Sequence, residues 1–234
     1  CVYSSDGRLL RQFGSFGDGP GQFRLPTDVA VHRDGTIFVS EYGGNDRISR
    51  FTPEFGYLDS FGGADAGPAR QQRPQCLLIA PDETLWVADA CNHRLCAFDL
   101  RGRLIRTIGA CGDGPGQFRF PYSVDLLSDG TLVVCEYGNN RVQRVTREGE
   151  CLGTWGRAGR TPGELAYPWA LSVGSEDRVY VVDSGNNRVQ VIAGATRTTW
   201  TPPDGAFAAP PAQERSPTAI AESEPGPSPA EPRP

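Results

Sequence analysis

The sequence repeats one short charged motif four times at a constant spacing. Each copy contains an acidic residue, a tight turn rich in Gly and Asn, and an arginine. The arginines are Arg47, Arg94, Arg141 and Arg188, 47 residues apart, and the acidic residues are Glu41, Asp89, Glu136 and Asp183. A period of about 40 to 50 residues with several short strands per unit is typical of a β-propeller or a solenoid. The period constrains architecture more than activity, because residues that recur in every repeat mostly build the repeat.

Each repeat also contains four segments in which apolar and polar residues alternate, as they do in half-buried antiparallel strands. In the first copy we expect strands over 28–32 and 36–40, from Arg47 onward, and over 57–61. An Asp-Gly pair separates the first two segments and predicts a hairpin turn. Since no useful stretch has the 3.6-residue period of a helix, the sequence predicts an all-β chain of four-stranded antiparallel units.

The repeats define the predicted organisation of the chain. We place them at 17–63, 64–110, 111–157 and 158–200, after a partial unit at 1–16 and before a tail at 201–234. The tail holds ten of the 20 prolines and has a net charge of −3, so we expect it to be disordered. The remaining 200 residues therefore carry only −2 of the total charge of −5.

The connectors between repeats contain a second repeated motif. Gly-Asp-Gly-Pro-Gly-Gln-Phe occurs at 17–23 and again at 112–118. We expect Phe23, Phe118 and the corresponding Leu165 to fill the gap between adjacent sheets. Gln71 takes this place in the second copy, where we expect weaker packing.

The connector, the Asp-Gly turn and the acid-turn-arginine motif together resemble the NHL repeat over nearly all of residues 1–200. The chain is most similar to bacterial NHL-repeat proteins of the planctomycete type. The resemblance implies a six-bladed β-propeller. Six such blades need about 280 residues, so we expect about one and a half blades, and any signal peptide, to lie upstream of Cys1.

The acidic residues of the motif have two interpretations. In the structural one, each carboxylate accepts backbone N–H groups of the Gly/Asn turn and pairs with the arginine. In the functional one, the four carboxylates surround the channel as metal ligands or acid–base groups, as the resemblance to propeller lyases and lactonases implies. His32 and His93 are expected at opposite ends of their sheets and cannot form one zinc site together. The sequence favours the structural interpretation and indicates no catalytic residue, metal or cofactor.

The seven cysteines show no zinc-ligand spacing. Most replace small or apolar residues of the repeat, so we expect buried structural thiols. Cys91 and Cys111 fall in loops that we expect on the same face, so the sequence does not decide whether they form a disulfide bridge.

Positions that differ between the copies are better candidates for function. The residue after the strand proline is Thr27, Gln75, Tyr122 or Trp169, and we expect it at the central channel, on the face that carries the connectors and the motif turns. We call this the top face. Other variable positions near it are Asp28, Tyr42, Tyr137, Arg24, Arg73, Arg119 and Arg160. Tyr, Trp and Arg are common anchors of protein interfaces.

The sequence therefore predicts a non-enzymatic binding module for a protein or peptide. One alternative is a metal-dependent lyase or lactonase whose site is completed by further blades. A second is single-stranded RNA binding through arginines and stacking rings. The pI of 5.1 argues against RNA, since affinity for nucleic acid is chiefly neutralisation of phosphate.

Overall fold

The alternating segments form 17 short β-strands in the computed structural model, which describes residues 1–196. An N-terminal hairpin contains β1 (Val2–Tyr3) and β2 (Leu9–Arg11). Blade 1 contains β3 (Leu25–Val31), β4 (Ile37–Tyr42), β5 (Arg47–Phe51) and β6 (Tyr57–Phe61). Blade 2 contains β7 (Pro74–Ile79), β8 (Leu85–Asp89), β9 (Arg94–Phe98) and β10 (Leu104–Ile108).

Two more blades follow in the same order. Blade 3 contains β11 (Pro121–Leu126), β12 (Leu132–Glu136), β13 (Arg141–Val145) and β14 (Cys151–Trp155). Blade 4 contains β15 (Ala170–Val173), β16 (Val179–Asp183) and β17 (Arg188–Ile192). Single 3₁₀ turns lie at Gly67–Ala69, Ala90–Asn92, Ser175–Asp177 and Ser184–Asn186.

Every sheet pairs strands that are consecutive in the chain and antiparallel, and the blades are arranged as a β-propeller. The all-β prediction and the four-stranded blade are confirmed for blades 1 to 3. Blade 4 has three strands within the described residues. The predicted end of its repeat at 200 and the predicted tail at 201–234 lie outside those residues, and the count of six blades stays a prediction.

The first strand of blade 1 begins at Leu25, earlier than the predicted residue 28. Its pairing with β4 continues past a register shift between Pro26 and Asp28. Blades 2 and 3 have the same shift after Pro74 and Pro121. Because proline has no N–H to donate, the ladder is interrupted there by a bulge, which re-aims the next side chain.

The hydrophobic core lies between the blades. Trp86 and Leu95 of blade 2 pack with Leu132 and Val134 of blade 3, and a similar cluster joins blades 3 and 4. The residues predicted to fill the gaps are buried: Phe118 and Leu165 completely, Gln71 to 1% exposure and Phe23 partly.

A glycine with positive φ lies against each of these gap-filling residues. They are Gly14, Gly62, Gly109 and Gly156. A Cβ atom on Gly109 would lie only 2.3 Å from the Phe118 ring, so only glycine permits this approach.

Candidate functional site

The four motif carboxylates are completely buried, and each pairs with the arginine of its own motif. The Arg47 Nε–Glu41 Oε1 and Arg141 Nε–Glu136 Oε1 distances are 2.7 Å. Asp89 with Arg94 and Asp183 with Arg188 form the corresponding pairs at 2.8 and 2.7 Å. Burial raises the pKa of the Glu136 carboxyl above its ordinary value, against the lowering effect of Arg141.

The backbone donors to these carboxylates differ from the predicted ones. They are not N–H groups of the Gly/Asn turn but the N–H that follows each gap-filling residue, on Arg24, Gln72, Arg119 and Ala166. The turn contributes a side chain instead, as where Asn139 Nδ2 donates to Glu136 Oε2 at 2.6 Å. The turn reverses within its own hairpin, whereas the connector residue after each gap-filling side chain donates its N–H to the carboxylate. Each carboxylate therefore joins one hairpin to the connector that precedes its blade.

A different residue of each turn links its blade to the next one. Asp46, His93 and Asn140 immediately precede the motif arginines, and each accepts a backbone N–H from the connector of the following blade. The donors are Arg73, Phe120 and Tyr167, at 2.8, 3.1 and 2.7 Å, and all three have positive φ. Such a conformation is strained for a non-glycine residue and requires support from its surroundings.

The four residues predicted to reach the channel lie together. Thr27, Gln75, Tyr122 and Trp169, one from each blade, line a cleft of about 270 Å³. Thr27 is also structural, since its Oγ1 donates to the Pro74 carbonyl of the next blade at 2.6 Å.

Aromatic rings continue from this cleft across the top face. Tyr122 stacks on Tyr137 with ring centroids 4.6 Å apart, and Trp169 meets Tyr122 edge-on at 5.1 Å. Tyr167 lies 5.3 Å from Tyr137. Tyr122 is buried, while Trp169 and Tyr167 are 47% and 56% exposed. Burial raises the pKa of the Tyr122 phenol above its ordinary value.

Arg73 extends the aromatic surface toward blade 1. Its guanidinium lies 5.0 Å from the centre of the Tyr42 ring and 5.4 Å from that of Tyr122. We refer to Tyr42, Arg73, Tyr122, Tyr137, Tyr167 and Trp169 as the aromatic track.

Other predicted top-face residues make local structural contacts. Asp28 accepts the backbone N–H of Val29 and that of Leu77 in the next blade, so both of its oxygens are engaged. The Arg24 side chain pairs with Asp18. Arg119 and Arg160 each donate a backbone N–H to a glutamate. These four residues are not part of the aromatic track.

Tyr167 is the member of the track that sequence reasoning missed. It precedes a strand proline, as Leu25, Arg73 and Phe120 do, and this position varies between the copies. The criterion that selected the residue after the proline would also have selected the residue before it.

The cysteines are less buried than the sequence predicted, whereas the two histidines lie at opposite ends of their sheets. All seven cysteines are free thiols; Cys96 and Cys135 are buried, but Cys1 and Cys111 are exposed, because they occupy connector and terminal positions outside the blade interfaces. His93 lies in the turn between β8 and β9, and His32 follows β3 at the other end of a sheet. Within residues 1–196, no three His, Cys, Asp or Glu side chains are grouped as metal ligands are.

No helix among the described residues has the length and apolar composition of a membrane span.

Comparison with solved structures supports the propeller architecture. The chain superposes on a virginiamycin B lyase from Staphylococcus aureus with a TM-score of 0.56 and 18% identity, over 73% of this chain and 53% of that one. The WD40 β-propeller domain of Doa1 gives a TM-score of 0.54 at 16% identity, over 71% of this chain and 50% of that one. At these identities the likeness shows the fold alone.

Sequence comparison identifies the repeat. The family model for the NHL repeat matches residues 165–192. NHL repeat-containing protein 3 of Homo sapiens is 31% identical over 104 residues, which are 42% of this chain and 30% of the relative. The Mus musculus protein of that name is 30% identical over the same length. The match thus spans less than a third of these relatives, and the likeness to planctomycete-type proteins stays a prediction. With its repeated motifs, antiparallel blades and these matches, the chain contains an NHL repeat at residues 165–192 and folds as a β-propeller.

Proposed function

We propose that this propeller is a non-enzymatic binding module that takes a peptide segment of a partner protein on its top face. The observation that supports this proposal is the aromatic track, in which the exposed Trp169 is held against the buried Tyr122 and the exposed Tyr167 against the half-buried Tyr137. Tyr and Trp supply large contact areas at interfaces with little loss of side-chain entropy. Rings already held by their neighbours lose even less on binding.

The shape of the track favours an extended segment over a compact ligand. Tyr42 belongs to blade 1 and Trp169 to blade 4, so the track crosses the ends of four blades. The motif carboxylates do not compete with this role, because each of their oxygens already accepts a hydrogen bond within the blade.

The test is selection of peptides from a random display library on the full 234-residue chain, followed by measurement of Kd for the enriched peptides. We expect Trp169→Ala and Tyr167→Ala to weaken binding by about tenfold or more, as is usual for aromatic anchors. Tyr3→Ala is the matched control, because Tyr3 is 58% exposed but lies on the N-terminal hairpin.

Circular dichroism of each variant verifies that the fold is retained. If no peptide is enriched, or if the enriched peptides bind the two track variants as tightly as the parent chain, the proposal is wrong. Salt-dependent binding of a mixed RNA pool that is lost in Trp169→Ala would assign the track to single-stranded RNA instead.

A further inference from the structure

Two buried donors at the aromatic track and the adjoining cleft have no hydrogen-bond partner among the described residues. Arg73 Nε and Gln75 Nε2 are buried, and neither makes a hydrogen bond to the described residues. No acidic side chain among residues 1–196 forms an ion pair with Arg73, although every motif arginine has one. Buried donors without acceptors are rare in folded proteins, and each one requires an explanation.

The two donors border the same ring. Arg73 lies over Tyr122, and Gln75 lines the cleft together with Tyr122 and Trp169. Ring contacts with Tyr42 and Tyr122 hold the guanidinium without using its N–H donors, because a cation–π contact depends on the charge of the group. The arrangement thus presents one fixed cation and one amide donor beside an apolar surface.

The backbone of Arg73 also points to a fixed role. Its φ is +58°, and its N–H is held by Asp46 Oδ1 at 2.8 Å. Blade 1 therefore supports a strained conformation that orients a side chain of blade 2. Strain of this kind is concentrated at ligand-binding positions.

From these observations we infer that Arg73 and Gln75 form a carboxylate-binding subsite of the top face. A carboxylate is planar and accepts two parallel N–H bonds from a guanidinium, and its remaining capacity suits an amide donor. Its single charge matches the one guanidinium of Arg73, whereas a phosphate dianion is usually met by several cations. The inference rests on the proposed function in one respect: the carboxylate is that of a bound peptide, from an Asp or Glu side chain or from a C-terminus.

The experiment follows the two donors directly by NMR on the ¹⁵N-labelled full chain. N-acetylglutamate α-amide carries only a side-chain carboxylate, N-acetylglutamine only a terminal one, and N-acetylglutamine α-amide neither. We expect the Arg73 Nε–H and Gln75 amide resonances to move with the first or the second compound and to stay in place with the third. The Arg24 Nε–H resonance is an internal control, since that group already donates to Asp18.

Two variants distinguish binding from a local structural effect. Arg73→Lys keeps the charge but loses the fork of donors, and we expect it to weaken carboxylate binding about tenfold. Gln75→Leu keeps the side-chain size, and we expect a smaller loss. Which of the two carboxylate compounds binds tells whether the partner offers a side chain or a C-terminus.

The inference is overturned if neither carboxylate moves the two resonances, if the diamide moves them equally, or if inorganic phosphate alone does so. These outcomes are separate from the fate of the proposed function. If the enriched peptides require Trp169 but contain no acidic group, and the Arg73 and Gln75 resonances do not move, the proposed binding module is supported and the carboxylate subsite is wrong. If these resonances move with carboxylates but no peptide is enriched, the carboxylate subsite is supported and the proposed peptide-binding function is wrong.

Discussion

At the scale of single residues, stability depends most on charges that are buried in pairs. Glu136 is completely enclosed, and donors from Arg141, Gln143, Asn139 and the Arg119 backbone surround it. Removing one partner of such a pair is costly because the other charge stays buried without compensation. The repeated acid–arginine pair is therefore a point of vulnerability in every blade.

We expect Arg141→Ala to lower the free energy of unfolding by about 3 to 5 kcal/mol. The control is Arg103→Ala, since Arg103 is 83% exposed and pairs with Asp99 on the surface. Water screens that pair, so its loss should cost less than about 1 kcal/mol. Urea denaturation measures both values. Similar losses for the two variants would show that the buried pair is not special.

At the scale of the element, the turn between the second and third strands does more than reverse the chain. In blade 2, the turn residue that bonds to the next connector is His93. Its Nδ1 accepts the Phe120 N–H, so this nitrogen must be unprotonated. Burial lowers the pKa of His93 below its ordinary 6.5, and the charge of Arg119 lowers it further. In blade 3 the same position is Asn140, which accepts the Tyr167 N–H and does not titrate.

This difference predicts a pH dependence that one substitution should remove. Between the lowered pKa and 6.5, the unfolded chain binds more protons at His93 than the folded chain does. The stabilising contribution is thus complete above about pH 6.5 and is lost as the pH falls through the folded pKa. Unfolding free energies measured from about pH 7 to about pH 5 should fall less steeply in His93→Asn than in the parent chain. Parallel curves would contradict the assignment, because the carboxylates titrate equally in both proteins.

At the scale of the whole molecule, each blade is stabilised by its neighbours. Val142 of blade 3 is completely buried, but Val189, at the same place in blade 4, is 60% exposed. Tyr180 and Val182 of blade 4 are each 40% exposed, where the corresponding Val133 and Cys135 of blade 3 are buried. In an array of repeats, stability is the sum of the repeats and their shared interfaces, so a blade covered on one face should open more readily.

Hydrogen exchange of the full chain measures this gradient. We expect the amides of β15 to β17 to exchange faster than those of β11 to β13, because within residues 1–196 opening blade 4 breaks one blade interface and opening blade 3 breaks two. Equal protection in blades 3 and 4 would mean that the blades unfold as one cooperative unit.

The fold could be predicted from the sequence because the same pattern of strands and turns occurs in four successive repeats. It also grouped Thr27, Gln75, Tyr122 and Trp169, which share one register position, and these residues line one cleft. It did not identify which backbone N–H groups meet Glu41 or Glu136, because those donors come from a connector 17 residues away and depend on how the chain crosses the blade. Nor did it include Tyr167 in the top face, because only the residue after each strand proline was considered and not the residue before it.

The link from each turn to the following connector has a consequence for redesign. Asp46 holds Arg73, His93 holds Phe120 and Asn140 holds Tyr167, so a residue at the mouth of one blade is oriented by the blade before it. A single four-stranded blade is therefore not the right unit to transplant into another propeller. The better unit runs from the second strand of one blade to the first strand of the next, because a graft cut at the blade boundary would carry a top-face residue without the turn that orients it.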